Sequence, residues 1–144
     1  MPGIPAPAGS KKAFFNPRNL RIPIVTDASA KSRPWKTLVS SYAVEAFDGR
    51  PLLTGRLFLD LLFVFPRPKS HFGTGKNALK LKANAPSYHT SPPDLTKLIR
   101  AVEDALTQVV WRDDALVCMQ HAIKIYTVAD KDIKPGVYIF VSHL

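Results

Sequence analysis

Apolar and polar positions along the chain alternate in blocks, and each block suggests an element. Trp35, Leu38, Val39, Tyr42, Ala43, Ala46 and Phe47 recur at helical spacing, with Pro34 in the first turn and Gly49 as a stop. A helix over 34–47 is predicted, its aromatics in the core and Lys36 and Glu45 away from the stripe. Residues 56–65, RLFLDLLFVF, form a nearly unbroken apolar run ended by Pro66. Such a run suits a strand covered on both faces in the middle of a sheet. Asp60 interrupts it and reads as an outward-facing acid near the strand's start.

A second helix is predicted over 94–107, where Leu95, Leu98, Ile99, Val102, Ala105 and Leu106 make one apolar stripe at about 100° per residue. Asp94, after two prolines, stands where an N-cap would be. Thr96, Lys97, Arg100, Glu103 and Asp104 fall on the outer face. Residues 115–127 then alternate as a strand, with Val117, Met119, Ile123 and Ile125 on the face of His121. That placement makes His121 a hydrogen-bonded core or interface histidine rather than a metal ligand, and sets Cys118 on the opposite face. A polar turn with Asp130, Asp132, Pro135 and Gly136 leads to a last strand, 137–142, expected to pair with its predecessor as an antiparallel hairpin.

Between these blocks the chain is irregular. Residues 1–32 are rich in Pro, Gly, Ser and Lys without sustained periodicity. Met1–Pro7 suits the tail of a short edge strand, and Ile22–Val25 a strand or hairpin arm. Gly9-Ser10-Lys11-Lys12 reads as a turn, either a solvated loop or a phosphate-holding one. Residues 66–92 carry Arg67, Lys69, Lys76, Lys80 and Lys82 and no acid. Loops this long are usually functional or disordered. His71, Phe72, Tyr88 and His89 lie among the cations, placed either to stack on exposed bases or to pack locally. The segment is expected to be a mobile basic flap on nucleic acid, the alternative being a basic insert of no specific function. The pattern gives an α/β fold in one domain, 1–144, with a mixed sheet of about four strands and two main helices.

Composition narrows the function. A chain of 144 residues, 46% of them hydrophobic, can bury a core. No apolar run reaches the roughly 18 residues a membrane span needs. The opening MPGIPAPAGSKK lacks the apolar region of a secretory signal. A lone cysteine rules out an internal disulfide framework and fits a reducing compartment. The net charge is +9, unevenly spread: residues 1–92 hold 14 Lys/Arg against 4 Asp/Glu, while 93–144 hold 6 against 7. Basic surroundings attract phosphate backbones. Beside a concentrated set of acids, they suit a metal-dependent nuclease.

Phosphodiester hydrolysis brings water to a charged phosphorus and stabilises a departing oxyanion. Mg²⁺ serves through oxygen ligands, retained waters and charge neutralisation, with a nearby Lys or Arg for the developing charge. Asp94 at a helix start and Asp113-Asp114 before a strand supply such carboxylates if helix and strand pack side by side, with Arg100 the nearest cation. Spacing alone leaves a second account open, in which Asp94 only caps its helix and Asp113-Asp114 is a polar turn. GxSxG, Walker, HExxH and paired zinc-spacing motifs are all missing.

The order Asp94, Leu95, Lys97, Leu98, Arg100, Ala101, Asp104, Ala105, Leu106, Thr107, a short link, then Trp111, Asp113, Asp114, Ala115 and Val117 resembles the RusA family of Holliday junction resolvases. The likeness continues more loosely through the Gly-Ser-Lys turn, the early helix and the strand ending at Pro66. What the resemblance implies is a small α/β homodimer, each subunit with an Mg²⁺-dependent site (Mn²⁺ as a substitute), nicking opposed strands of a four-way junction. It implies a cytoplasmic, nucleoid-associated protein of recombination and repair in a bacterium or phage. By position, Asp94 and Asp114 become metal ligands with Asp113 beside them. Arg100 stands where the family has a catalytic lysine. Lys11, Lys12, Arg67, Lys69, Lys76, Lys80, Lys82 and Lys97 become DNA contacts.

One departure bears on activity. The family's D-L-D motif reads Asp94-Leu95-Thr96 here, so a hydroxyl replaces an expected carboxylate ligand. Thr96 can ligate directly or through water, another acid can compensate, or the protein can be a junction-binding relative with weakened metal binding. Glu103 lies within about 20° of Thr96 around the helix but roughly 10.5 Å along it. A water-bridged or electrostatic part suits it better than direct ligation. The chain also starts only a few residues before the Gly-Ser-Lys turn, leaving little length for a first strand.

Overall fold

The computed structural model describes residues 1–9, 11–16, 19–27, 31–128 and 133–144, with side chains described outside 10–30 and 129–132. The described chain forms two compact units. One comprises Met1–Pro5, Gly55–Leu95 and Ala115–Leu144, the other Ala6–Thr54 and Thr96–Asp114.

In the first unit, β3 (Leu57–Phe65) is the middle strand of a three-stranded sheet. Its alternation is one-sided at first: Leu57, Leu59, Leu61 and Phe63 are fully buried, while Phe58, Asp60 and Leu62 are half-buried. β4 (Val117–Tyr126) runs parallel to it, in register from Leu57↔Val117 to Phe65↔Tyr126, with Cys118 as an extra residue at a bulge. β5 (Gly136–His143) runs antiparallel along the other edge, Leu57↔His143 to Val64↔Gly136.

The expected β4–β5 hairpin is therefore corrected. Both strands pair with β3, giving the order β4-β3-β5 and a mixed sheet of three strands rather than about four. The apolar β3 has two edges whose N–H and C=O groups need partners away from water, and a β4–β5 hairpin would leave one of them open. The first residues extend the β5 side. Gly3 N–H donates to the Pro135 carbonyl at 2.8 Å, and Val137 N–H to the Met1 carbonyl at 3.2 Å. The Met1 amine donates to the Val137 carbonyl, and burial lowers its pKa.

In the second unit, β1 (Lys11–Asn16) and β2 (Asn19–Asp27) form an antiparallel ribbon. This corrects the turn expected at Gly9–Lys12. Lys11 and Lys12 open β1, paired with Asp27 and Thr26, because Ala13, Phe14 and Phe15 carry extended backbone back to them. Ser10 lies outside the described residues. β2 contains the expected arm Ile22–Val25.

Helix α1 (Ser32–Phe47) ends through a left-handed Asp48 whose N–H donates to the Val44 carbonyl, followed by Gly49 at φ +69°. Trp35 and Val39 are buried, but Leu38 and Tyr42 of the same predicted stripe are more than a third exposed. The apolar face is thus narrower than its sequence period. Helix α2 (Leu95–Leu106) buries Leu98, Ala101, Val102, Ala105 and Leu106. Such an apolar stripe, rather than intrinsic propensity, supplies most of a short helix's stability.

Candidate functional site

Helix α2 presents Thr96, Lys97 and Arg100 on its exposed side and Glu103 at half-burial. Its apolar stripe fixes this orientation, since residues three and four apart share a helix face. The first turn is held from outside, where Ala8 N–H donates to the Lys97 carbonyl at 2.9 Å. Ala6 and Ala8 are buried in this docking. Farther along, Asp104 takes Lys36 Nζ of α1 at 2.6 Å. That outer-face acid therefore joins two helices.

The end of α2 is built around Trp111, which is fully buried. Thr107 N–H and Oγ1 both donate to the Glu103 carbonyl, at 3.0 and 2.9 Å. Trp111 Nε1 donates to Thr107 Oγ1 at 3.3 Å. Gln108 turns back at φ +65° to give its N–H to the Trp111 carbonyl, and its side-chain amide to the Arg112 carbonyl at 2.6 Å. Leu53 N–H closes the site from the other side on the Val110 carbonyl. Two residues after this anchor, Asp113 and Asp114 are exposed, and Asp114 opens a short 3₁₀ turn, Asp114–Leu116, that feeds β4. The spacing W-x-D-D thus has a physical reading: a buried indole fixes the backbone and the acids emerge just beyond it.

Asp94 belongs to the first unit, exposed at the residue before α2. The approach to it is held by Lys124 of β4, a residue that strand alternation gave no reason to single out. Lys124 Nζ donates to the carbonyls of Ser91 and Pro93, both at 2.7 Å. Among the described residues, no three His, Cys, Asp or Glu side chains gather into a set able to hold a metal ion by themselves.

The basic segment 66–92 carries two 3₁₀ turns, Lys69–His71 and Gly75–Asn77, and its two ends are tied to the sheet. Ser87–His89 runs along β4: Tyr126 N–H donates to Ser87 and His89 N–H to Lys124. Arg67 spends its guanidinium on the protein itself. Nε donates to the Thr127 carbonyl at 2.7 Å, Nη1 to the Pro86 carbonyl at 2.9 Å, and the group lies 5.5 Å from the Tyr126 ring centroid. His89 is buried, stacked on Phe65 at 4.1 Å and tilted against Tyr126 at 4.8 Å. Desolvation, then the charge of Lys124, lowers its pKa. His71 meets the edge of Tyr126. Of the interleaved aromatics, His71 and His89 thus pack locally, while Tyr88 is 63% exposed.

Lys69, Lys76 and Lys80 are exposed, and Lys82 Nζ donates to the Ser70 carbonyl. The side chains of Lys11 and Lys12 lie outside the described residues. His121, expected in a core or interface, is hydrogen-bonded but exposed, its Nδ1 2.8 Å from the Asp60 carboxylate on the neighbouring strand. No helix among the described residues is long and apolar enough to cross a membrane.

The chain is similar to an uncharacterized Bacillus subtilis (strain 168) protein, YqaN, at 30% identity over 100 residues covering 68% of each chain. Residues 6–142 match the family model described as Endodeoxyribonuclease RusA. The matched stretch takes in the ribbon, both helices and all three strands of the sheet, so the chain belongs to the RusA family of endodeoxyribonucleases.

Proposed function

We propose that this protein is a structure-specific endodeoxyribonuclease that resolves four-way DNA junctions as a homodimer. The reading is carried by the family match over residues 6–142 together with the acids at the two ends of α2 and its following turn. Two identical sites related by a two-fold axis suit a substrate that offers two like-oriented strands.

Asp94, Asp113 and Asp114 are the carboxylates proposed to hold a divalent ion, Mg²⁺ or Mn²⁺. A complete protein cage is not required, because Mg²⁺ is commonly held by one or two carboxylates plus waters and substrate phosphate. Exposed carboxylates offer it hard oxygen donors. When bound, the ion supplies a polarised phosphate and a more acidic water. The chain's own residues do the rest. Arg100, exposed on α2, lies against the phosphate and offsets charge as the leaving oxygen departs. Thr96 contributes a hydroxyl or orders a water, and Glu103 adds electrostatic support from farther along the helix. Lys11, Lys12, Lys69, Lys76, Lys80, Lys82 and Lys97 are the cations proposed to contact the DNA backbone. Arg67 holds the ends of the loop that carries Lys69, Lys76, Lys80 and Lys82.

A second reading is favoured by one observation: a threonine occupies the first turn of α2 where the family motif has an acid. On it, the protein binds junctions without cutting them. A synthetic four-way junction with Mg²⁺ or Mn²⁺ decides. Paired symmetric nicks, lost in Asp114→Asn, support the nuclease. Tight junction binding without nicks supports the second reading.

A further inference from the structure

The basic segment 66–92 carries one side chain that its charge does not explain. Leu79 is 94% exposed, the most exposed large apolar side chain among the described residues. It stands on a built turn. Phe72 and Leu81 pair as an antiparallel bridge; Gly73 N–H donates to the Lys80 carbonyl at 3.0 Å and Lys82 N–H to the His71 carbonyl at 2.9 Å. Beyond that ladder, Asn77 N–H donates to the Thr74 carbonyl, Ala78 N–H to Gly75 and Lys80 N–H to Asn77. A Cβ on Gly73 would come within 2.7 Å of the Asn77 carbonyl oxygen, so the turn is packed against itself. Single exposed leucines are ordinary on a surface. This one is held out by an ordered backbone.

Its neighbours select what it meets. Lys76 and Lys80 flank it in the chain, both exposed, and residues 66–92 hold five cations and no acid. Such a segment is drawn to a phosphate backbone. A leucine carried in with it can hydrogen-bond neither a phosphate nor a base edge. The broad apolar surface that nucleic acid offers it is the face of a base. In continuous duplex those faces are covered by stacking, and an apolar wedge must unstack a step to reach them. Where strands exchange at a branch the stack is already interrupted, so insertion costs less there.

We propose that Leu79 is a wedge that enters the open base step at a branch point while Lys76 and Lys80 hold the flanking phosphates, and that it sets the preference for branched over linear DNA. The proposal rests on the branched-DNA reading above and names the residue that makes it selective.

A four-way junction and a matched linear duplex test it, each carrying a fluorescent adenine analogue that brightens on unstacking, with divalent ions chelated so that nothing is cut. The wild type should bind the junction more tightly and brighten the analogue at the branch. Leu79→Ser should abolish the brightening and lower the junction-to-duplex affinity ratio about tenfold. Its circular-dichroism spectrum should be unchanged, because Leu79 is almost wholly exposed. Leu79→Met should retain both effects, since its side chain is again long and apolar. A wild type without preference for the junction overturns the branched-DNA reading together with the wedge. A junction complex that leaves the analogue dark, a preference that survives in Leu79→Ser, or an equal loss for junction and duplex overturns the wedge alone. So does Leu79-dependent binding to anionic lipid vesicles with the junction preference untouched, which would make the turn a membrane contact.

Discussion

Lys36 of α1 and Asp104 of α2 meet at 2.6 Å in an ion pair that ties these two helices together. Both side chains are partly solvated, which keeps the contribution small. Lys36→Met should lower stability by about 0.5 kcal/mol. The loss should shrink as salt rises, because screening already weakens the wild-type pair. Chemical denaturation at low and high salt checks this. Junction cleavage should be unchanged.

On the proposed nuclease reading, Thr96 sets how strongly the acids hold a divalent ion. Thr96→Asp should lower the ion concentration needed for half-maximal nicking by about tenfold, roughly 1.4 kcal/mol of binding. Asp94→Asn and Asp114→Asn should cut the nicking rate by about 100-fold or more while leaving gel-shift affinity for the junction in place. A rate that does not change in Asp114→Asn would remove that residue from the site.

The exposed lysines of the basic loop should act as phosphate contacts. Lys76→Ala and Lys80→Ala should each weaken junction binding for every sequence tested and reduce the slope of log K against log salt by about 1. Arg67→Ala should behave differently. It removes hydrogen bonds to the Thr127 and Pro86 carbonyls, so its loss should appear in thermal stability as well as in binding.

His89 gives the loop base a pH dependence. Its pKa is lowered in the folded chain, first by desolvation and then by Lys124. Below pH 6.5 the unfolded chain takes up a proton that the folded chain resists, so its contribution to stability falls as pH drops from 6.5 toward the folded value. Above 6.5 both states are neutral at this site and the slope vanishes. Thermal melts between pH 7 and 5 should show the loss, and His89→Phe should reduce it.

The fold was legible where one local pattern dominated. The run from Leu57 to Phe65 announced a central strand because both of its edges are paired, and α2 announced itself through a regular stripe. Only the strand face of Leu57, Leu59, Leu61 and Phe63 is fully buried, rather than both faces as expected. β1 was missed because KKAFFN is short and does not alternate, so its extended form depends on β2 alongside it. The false hairpin has the same cause. Strand pattern tells which residues can pair but not with whom, and β4 and β5 both found β3.

The candidate acids were legible from W-x-D-D and from the helix start. Their supports were not. Lys124 holds carbonyls more than thirty residues away, and Arg67, expected as a DNA contact, gives hydrogen bonds to the Thr127 and Pro86 carbonyls. Such contacts are chosen by tertiary proximity, which no local period encodes. Asp60 was read correctly as outward-facing, but its partner His121 lies 61 residues on in the chain.

That long separation also bears on how the molecule comes to be made. The parallel pairing of β3 with β4 closes over the basic loop, the whole of α2 and every acid of the candidate site. Closing so long a connection costs entropy before any strand contact repays it, so parallel, non-local pairing forms slowly. A chain emerging from the ribosome holds β3 with an uncovered apolar edge until Asp94, α2 and Asp114 have all been synthesised. Over that interval the most apolar strand is the part most exposed to aggregation.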